Sequence, residues 1–235
     1  MKNIKIICTL GPSSFNKKIL NSLKKTKINI FRINLSHTNQ KDIKSKILYL
    51  KKNKIKNICL DTEGAQLRTT KTKKKYYLKK GVRIKVSNNE TISDNSIINL
   101  YPKFDIFSLN KNKIIEIGFN NLKLIVLNKH LEKNYLTCKV IQSGLLESNK
   151  GVHLNKNINL PALTKKDIFA LNLGKKMNIK YYAISFVNSF KDIDQVKKLT
   201  KSKDFIISKI ETKKALKDLK KISQRSNALL IDRGD

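Results

Sequence analysis

Two apolar runs that each stop abruptly at charged residues constrain this chain more than any other feature. The first is Ile206-Ile207-Ser208-Lys209-Ile210-Glu211-Thr212, and the second is Leu229-Leu230-Ile231-Asp232-Arg233-Gly234-Asp235. Short Ile- and Leu-rich runs of this kind are how strands buried on both faces read where they leave a parallel sheet. In a barrel built of β/α units, the ends of such strands form the catalytic face. Lys209, Glu211 and Asp235 therefore stand where chemistry is expected, as a mobile positive charge beside two carboxylates able to hold one hard divalent ion.

The same pattern repeats upstream. Strands are expected over Ile4 to Leu10, Ile28 to Ile33 and Ile58 to Asp61, with amphipathic helices over Lys17 to Lys25 and Lys41 to Lys52 between them. From about Thr70 to Leu154 helical spacing vanishes. Short β-rich runs replace it, among them Gly81 to Val86, Leu122 to Leu127 and Tyr135 to Ile141, separated by Asn, Asp and Gly. Helical spacing returns behind Thr164, a suitable N-cap for a helix carrying Ile168, Leu171 and Leu173. Strands over Tyr181 to Phe186, Phe205 to Ile210 and Ala228 to Ile231 alternate with helices over Asp192 to Leu199 and Thr212 to Ser223. The last of these helices offers Ala215, Leu216, Leu219 and Ile222 as its core stripe.

This reads as an α/β protein of three segments. Residues 1–69 form the first part of a β/α barrel, 70–154 an inserted all-β domain, and 155–235 the continuation of the barrel. The expected fold is a (β/α)₈ TIM-type barrel, incomplete in this chain at about six strands.

Composition narrows the function classes. The 235 residues carry a net charge of +34, which by itself would point to a polyanionic partner. Of the 51 basic residues only five are arginines, which leaves 46 lysines dispersed along the chain, and there is no tryptophan. Nucleic-acid readout usually relies on arginine forks with interleaved aromatics, and with arginine this scarce and tryptophan absent no specific nucleic-acid partner is expected. Three of the five arginines, Arg32, Arg68 and Arg233, fall near strand ends, where a planar fork suits bidentate phosphate contact. Cys8, Cys59 and Cys138 lack metal-ligand spacing and read as reduced thiols. No apolar run approaches the ~18 residues of a membrane span, and Met1-Lys2-Asn3 leads straight into a strand, so no membrane association and a cytoplasmic location are expected.

The order of the strand-end segments is more specific than any one of them. They run Lys5-Ile6-Ile7-Cys8-Thr9-Leu10-Gly11-Pro12, Ile30-Phe31-Arg32-Ile33-Asn34-Leu35-Ser36-His37, and Cys59-Leu60-Asp61-Thr62-Glu63-Gly64-Ala65-Gln66-Leu67-Arg68-Thr69. Asn149-Lys150-Gly151-Val152-His153-Leu154, Leu160-Pro161-Ala162-Leu163-Thr164-Lys165-Lys166-Asp167 and Ala183-Ile184-Ser185-Phe186-Val187 follow, ahead of the two runs above. In this order they resemble the amino-terminal half of pyruvate kinase, over nearly the whole chain.

That resemblance implies phosphoryl transfer from phosphoenolpyruvate to ADP, giving pyruvate and ATP, with the inserted domain acting as a lid. It implies Lys209 and Arg32 as catalytic residues, and Arg32, Gly234 and Asp235 at the substrate. Arg68 and Lys150 fall to the nucleotide, and Glu211 and Asp235 to Mg²⁺ or Mn²⁺. Asn34, Ser36, Asp61 and Thr62 fall to a monovalent cation, K⁺ in the family. A homo-oligomer is implied if the full product carries the family's further region. His37 receives no catalytic role.

Three departures keep a second reading open, that of a redirected or inactive paralogue that binds metal and phosphoenolpyruvate without normal turnover. Gln66 replaces a glutamate associated with potassium dependence. Ile117-Gly118-Phe119-Asn120 stands where the family carries Asp-Asp-Gly, and Asp232 where it commonly has alanine.

Overall fold

The structure is a computed structural model that describes residues 4–64, 66–118, 120–154, 158 and 160–231. Its first strands and helices alternate as β1 (Ile6–Thr9), α1 (Lys17–Lys24), β2 (Ile28–Asn34), α2 (Ile43–Lys52) and β3 (Ile58–Asp61). Nine strands without an intervening α-helix follow. They are β4 (Arg68–Thr69), β5 (Tyr76–Leu78), β6 (Arg83–Ser87), β7 (Ile97–Tyr101), β8 (Ile114–Ile117), β9 (Leu122–His130), β10 (Tyr135–Gln142), β11 (Gly144–Leu146) and β12 (Val152–Leu154). The β/α alternation then resumes with α3 (Lys165–Lys176), β13 (Tyr181–Ile184), α4 (Phe190–Leu199), β14 (Phe205–Ile210), α5 (Lys213–Lys217), α6 (Leu219–Arg225) and β15 (Ala228–Ile231). The chain divides into two compact units, residues 1–65 with 162–234 and residues 66–161.

In the first unit six strands form one sheet in the order β1-β2-β3-β13-β14-β15, every pair parallel. Strand order follows chain order, so each β/α unit adds its strand at the same edge of the sheet, as in a barrel and unlike a doubly wound sheet. The period of two along each strand divides the side chains between two cores. Leu60, Tyr182, Ile184 and Ile206 point to the helix side and pack with Leu50, Leu171, Ile193 and Ile222. Ile30, Cys59, Ala183 and Ile207 point to the other face, where they form a narrower core joined by Ile7, Tyr181, Phe205 and Leu230. Helices on one face and a second apolar core on the other make this sheet six strands of a (β/α)₈ barrel.

Local signals set the helix starts. The Asn16 side chain accepts from the backbone N–H groups of Lys18 and Ile19, and Thr164 and Ser189 each form a capping box, with Asp167 and Asp192. One expected helix is broken. Asp218 (φ −113°, ψ 15°) separates α5 from α6, and its carboxylate accepts the N–H of Phe190 at the start of α4, 2.9 Å away. The break turns the helix face, so Ala215 and Ile222 are buried while Leu216, expected in the core stripe, is 60% exposed.

Among its described residues the second unit has strands and one short 3₁₀ turn, at Ile106–Ser108. Seven strands pair in the order β12-β8-β9-β10-β6-β7-β4, and β11 pairs with β5. Its own core gathers Val86, Ile98, Leu124, Val126, Leu136 and Val140, all fully buried. Burial pushes the Cys138 thiol in that core up to about 12, and Cys59 in the barrel unit is raised further by burial and by Asp61 beside it, so neither is a ready thiolate. No helix among the described residues is long and apolar enough to cross a membrane.

Candidate active site

The inner face of the barrel sheet changes from apolar to charged within one strand period. Two residues beyond Ile30, Cys59, Ala183 and Ile207 come Arg32, Asp61, Ser185 and Lys209, and the strand register steps them along the sheet: Arg32 pairs with Cys59, Asn34 with Asp61, and Asp61 with Ala183. Side chains that follow the inner core along each strand are thereby gathered at its C-terminal mouth.

The charges interlock there. Arg32 donates from Nε to Thr9 Oγ1 (2.7 Å) and places Nη1 3.6 Å from Asp61 Oδ2. Lys209 Nζ lies 3.2 Å from Glu211 Oε1 and 3.8 Å from Asp61 Oδ1, and it donates to Ser185 Oγ at 3.1 Å. Glu211 Oε2 accepts the backbone N–H of Phe186 at 2.7 Å. The side chains of Lys209 and Glu211 are each 8% exposed and that of Asp61 1%. Burial pushes the Asp61 carboxyl up to about 6, against the opposing pull of Lys209 and Arg32. Among the described residues, two cations and two carboxylates face one another here, and such pairing offsets part of the cost of keeping charges out of water.

Of the expected monovalent-ion residues, Asp61 joins the cluster directly. Thr62 is fully buried, and its hydroxyl accepts the Ser185 N–H at 2.9 Å while its carbonyl accepts the Ser185 hydroxyl at 2.7 Å. Asn34 ends β2 and uses its side-chain oxygen to accept the N–H of Ser36 (2.9 Å), which opens the 3₁₀ turn Leu35–His37. Gly234 and Asp235, as well as Asp232, lie outside the described residues.

Arg68 and Lys150 belong to the all-β unit and sit on adjoining backbone there. Arg68 bridges to Gly151, donates to the Asn149 carbonyl at 3.5 Å, and has a buried Nε that no acceptor meets. Lys150 pairs with Glu147 (3.1 Å), and its N–H donates to Thr69 Oγ1. Gln66 is 6% exposed, and a Cβ on Gly151 would stand 2.8 Å from its side-chain nitrogen.

Sequence reasoning gave no role to four groups around the cluster. Thr9 orients Arg32, and Ser185 and the Phe186 amide hold Lys209 and Glu211. Asp167, 0% exposed, accepts the N–H of Glu63 (2.8 Å) and of Gly64 (3.1 Å), fixing the turn after β3. Only Ser185 carried a readable signal, as the inner-face position two residues beyond Ala183.

The donor set suits a hard divalent cation. Asp61 and Glu211 both offer carboxylate oxygens within 3.8 Å of the one ammonium, the hard oxygen donors such an ion prefers. Among the described residues no three His, Cys, Asp or Glu cluster tightly enough to form a complete site, and Asp235, the remaining candidate, is outside them.

A parallel β/α barrel with charged groups at the C-terminal strand ends, interrupted by an all-β unit, has the layout of a barrel enzyme. The family described as "Pyruvate kinase, barrel domain" matches residues 1–235. The chain is 30% identical over 245 residues to a pyruvate kinase of Staphylococcus epidermidis, 29% over 247 residues to one of Sporosarcina psychrophila, and 28% over 251 residues to one of Staphylococcus aureus. In each case all of this chain and 42% of the relative are covered. The chain belongs to the pyruvate kinase family, and it spans about two fifths of the length of these relatives.

Proposed function

We propose that this chain carries the phosphoryl-transfer half of a pyruvate kinase, moving the phosphoryl group of phosphoenolpyruvate to ADP. The observation that carries this reading is the Lys209 ammonium held between Glu211, Asp61 and Ser185, with Arg32 on the far side of Asp61. The bond from phosphorus to the enol oxygen breaks, a bond from phosphorus to a β-phosphate oxygen of ADP forms, and the released enolate takes a proton at carbon to become pyruvate. Charge spreads over the transferring oxygens during this exchange, and cations fixed beforehand in a site shielded from water stabilise it without reorganising.

In this reading Lys209 meets the group in flight and Arg32 binds the substrate phosphate through its guanidinium, already oriented by Thr9. Gly234 and Asp235 complete the substrate site, while Arg68 and Lys150 serve the nucleotide. Glu211 with Asp235 would hold Mg²⁺ or Mn²⁺, which supplies Lewis-acid neutralisation of phosphoryl oxygens when bound. Asn34, Ser36, Asp61 and Thr62 would take K⁺, with Gln66 contributing no charge to it. The all-β unit would act as a lid, and a homo-oligomer and a cytoplasmic location accompany the reading as they do the family.

The test is a lactate-dehydrogenase-coupled assay with phosphoenolpyruvate, ADP and Mg²⁺, with and without K⁺, run beside Asp235→Asn. Turnover abolished by that substitution supports the proposal. Metal-dependent binding of phosphoenolpyruvate without turnover favours the redirected paralogue instead, and absence of both overturns each.

A further inference from the structure

The chain bends where β13 ends, and the bend is unusual. Phe186 has φ 52°, a left-handed conformation that a residue with a β-carbon adopts at a cost. The bend aims the Phe186 N–H at Glu211 Oε2, 2.7 Å away. It also presents the Phe186 carbonyl to Asn188 Nδ2 (3.1 Å), while Asn188 Oδ1 accepts the hydroxyl of Thr212, the residue after Glu211 (2.8 Å).

The preceding residue grips the other member of the pair. A serine hydroxyl has one proton and two lone pairs. The Ser185 proton goes to the Thr62 carbonyl, the nearer acceptor at 2.7 Å, which leaves the oxygen to accept from Lys209 Nζ at 3.1 Å. Ser185 is itself held, since its N–H donates to Thr62 Oγ1. Backbone closes the remaining side: a Cβ on Gly64 would stand 2.6 Å from the Ser185 carbonyl oxygen. Ser185 is 4% exposed, so no water shell replaces these contacts.

We infer that the Ser185–Phe186 corner is a positioning device that fixes the Lys209 ammonium and the Glu211 carboxylate relative to each other before anything binds. Ser185 is a positioning residue acting through Lys209. The consequence for turnover rests on the function proposed above, whereas the geometric claim stands without it.

The experiment compares Ser185→Ala, Ser185→Thr, which keeps the hydroxyl, and Asn188→Ala, which loosens the corner from outside, after thermal unfolding has identified the folded variants. Nitrogen-15 NMR of labelled lysine reads the ammonium directly. A lysine held by hydrogen bonds away from water exchanges its protons slowly enough to be seen, unlike the exposed lysines, and Lys209→Arg assigns the signal. The expected result is a Lys209 signal in the wild type that is lost in Ser185→Ala, weakened in Asn188→Ala and regained in Ser185→Thr. In the coupled assay Ser185→Ala should lower kcat about 10-fold or more, with KM for phosphoenolpyruvate within about 2-fold, because ground-state binding is retained while transition-state stabilisation is lost.

No slowed ammonium signal in the wild type, or one unmoved by both Ser185→Ala and Asn188→Ala, overturns the inference. A signal that moves as expected in a protein that does not turn over phosphoenolpyruvate upholds the corner and refutes the proposed activity. Normal turnover in Ser185→Ala with the signal unmoved does the reverse.

Discussion

Lys209 and Asp61 show how one buried contact serves two ends. Among the described residues three oxygens lie within 3.8 Å of Lys209 Nζ, so truncation would remove a fixed charge from the site while leaving the carboxylates of Asp61 and Glu211. Lys209→Ala is predicted to reduce phosphoryl transfer by roughly 10³-fold or more, with metal binding at Glu211 largely kept, as loss of a preorganised transition-state charge should. Near-normal turnover in a steady-state assay of that variant would remove Lys209 from the mechanism. Asp61 carries a pH signature. Its carboxyl is raised from an ordinary 3.8 to about 6, first by burial. Below about pH 4 the folded and unfolded chains both hold this proton. Between there and about 6 the folded chain keeps a proton that the unfolded chain has released, so stability falls as pH rises; above about 6 the whole loss, about 3 kcal/mol at most, is in place. Urea unfolding across that window should show a pH slope that flattens in Asp61→Asn, and equal slopes in the two proteins would contradict the assignment.

A single helix turn does comparable work one level up. The first turn of α3 uses Asp167 to accept the N–H groups of Glu63, Gly64 and Thr164, and Lys166 pairs with Glu63 at 2.7 Å. Thr164 and Asp167 form a cap that the sequence announces at Thr164, yet the sequence gives no hint that the same aspartate also pins the turn carrying Thr62. Asp167→Ala is predicted to cost about 3 kcal/mol, one cap plus two buried amides left without an acceptor, with Asp167→Asn intermediate. A loss in urea-measured stability under about 1 kcal/mol, the value of a cap alone, would mean that the turn after β3 holds itself. Elements governed by local rules were legible: β3, β14 and β15 occupy the apolar runs expected of them, and the described residues of the β-rich stretch form no α-helix. The helix expected over Thr212 to Ser223 was not, because the break at Asp218 is set by the Phe190 N–H from another β/α unit. No period in the local sequence encodes that demand.

Over the whole molecule, charge is the dominant property. At +34, with only five arginines among the basic residues, the chain repels itself without concentrating its charge on one motif. Self-repulsion opposes compact states and is screened over about 10 Å at 0.1 M salt. The urea midpoint should therefore rise between about 20 and 200 mM NaCl while retention on a heparin resin falls. A midpoint that is flat or declining across that range would show that the exposed lysines are already neutralised pairwise.

The alternation of strands with helices and the interruption by a β-rich stretch were readable from the residues alone, whereas the inward-facing side of each strand, buried on both faces, was not. The alternation and the interruption follow from periods of 2 and 3.6 and from caps, all of which act over a few residues. Resemblance then selected Arg32, Asp61, Lys209 and Glu211 from a chain rich in lysine. That Ser185 and the Phe186 amide hold Lys209 and Glu211, and that Asp167 closes the turn after β3, emerges only from the folded chain. Those contacts join residues 24 to 104 positions apart, as from Lys209 to Ser185 and from Glu63 to Asp167. Such distances are closed by the hydrogen-bond register of parallel strands, which depends on the packing of every crossover between them and not on any local pattern.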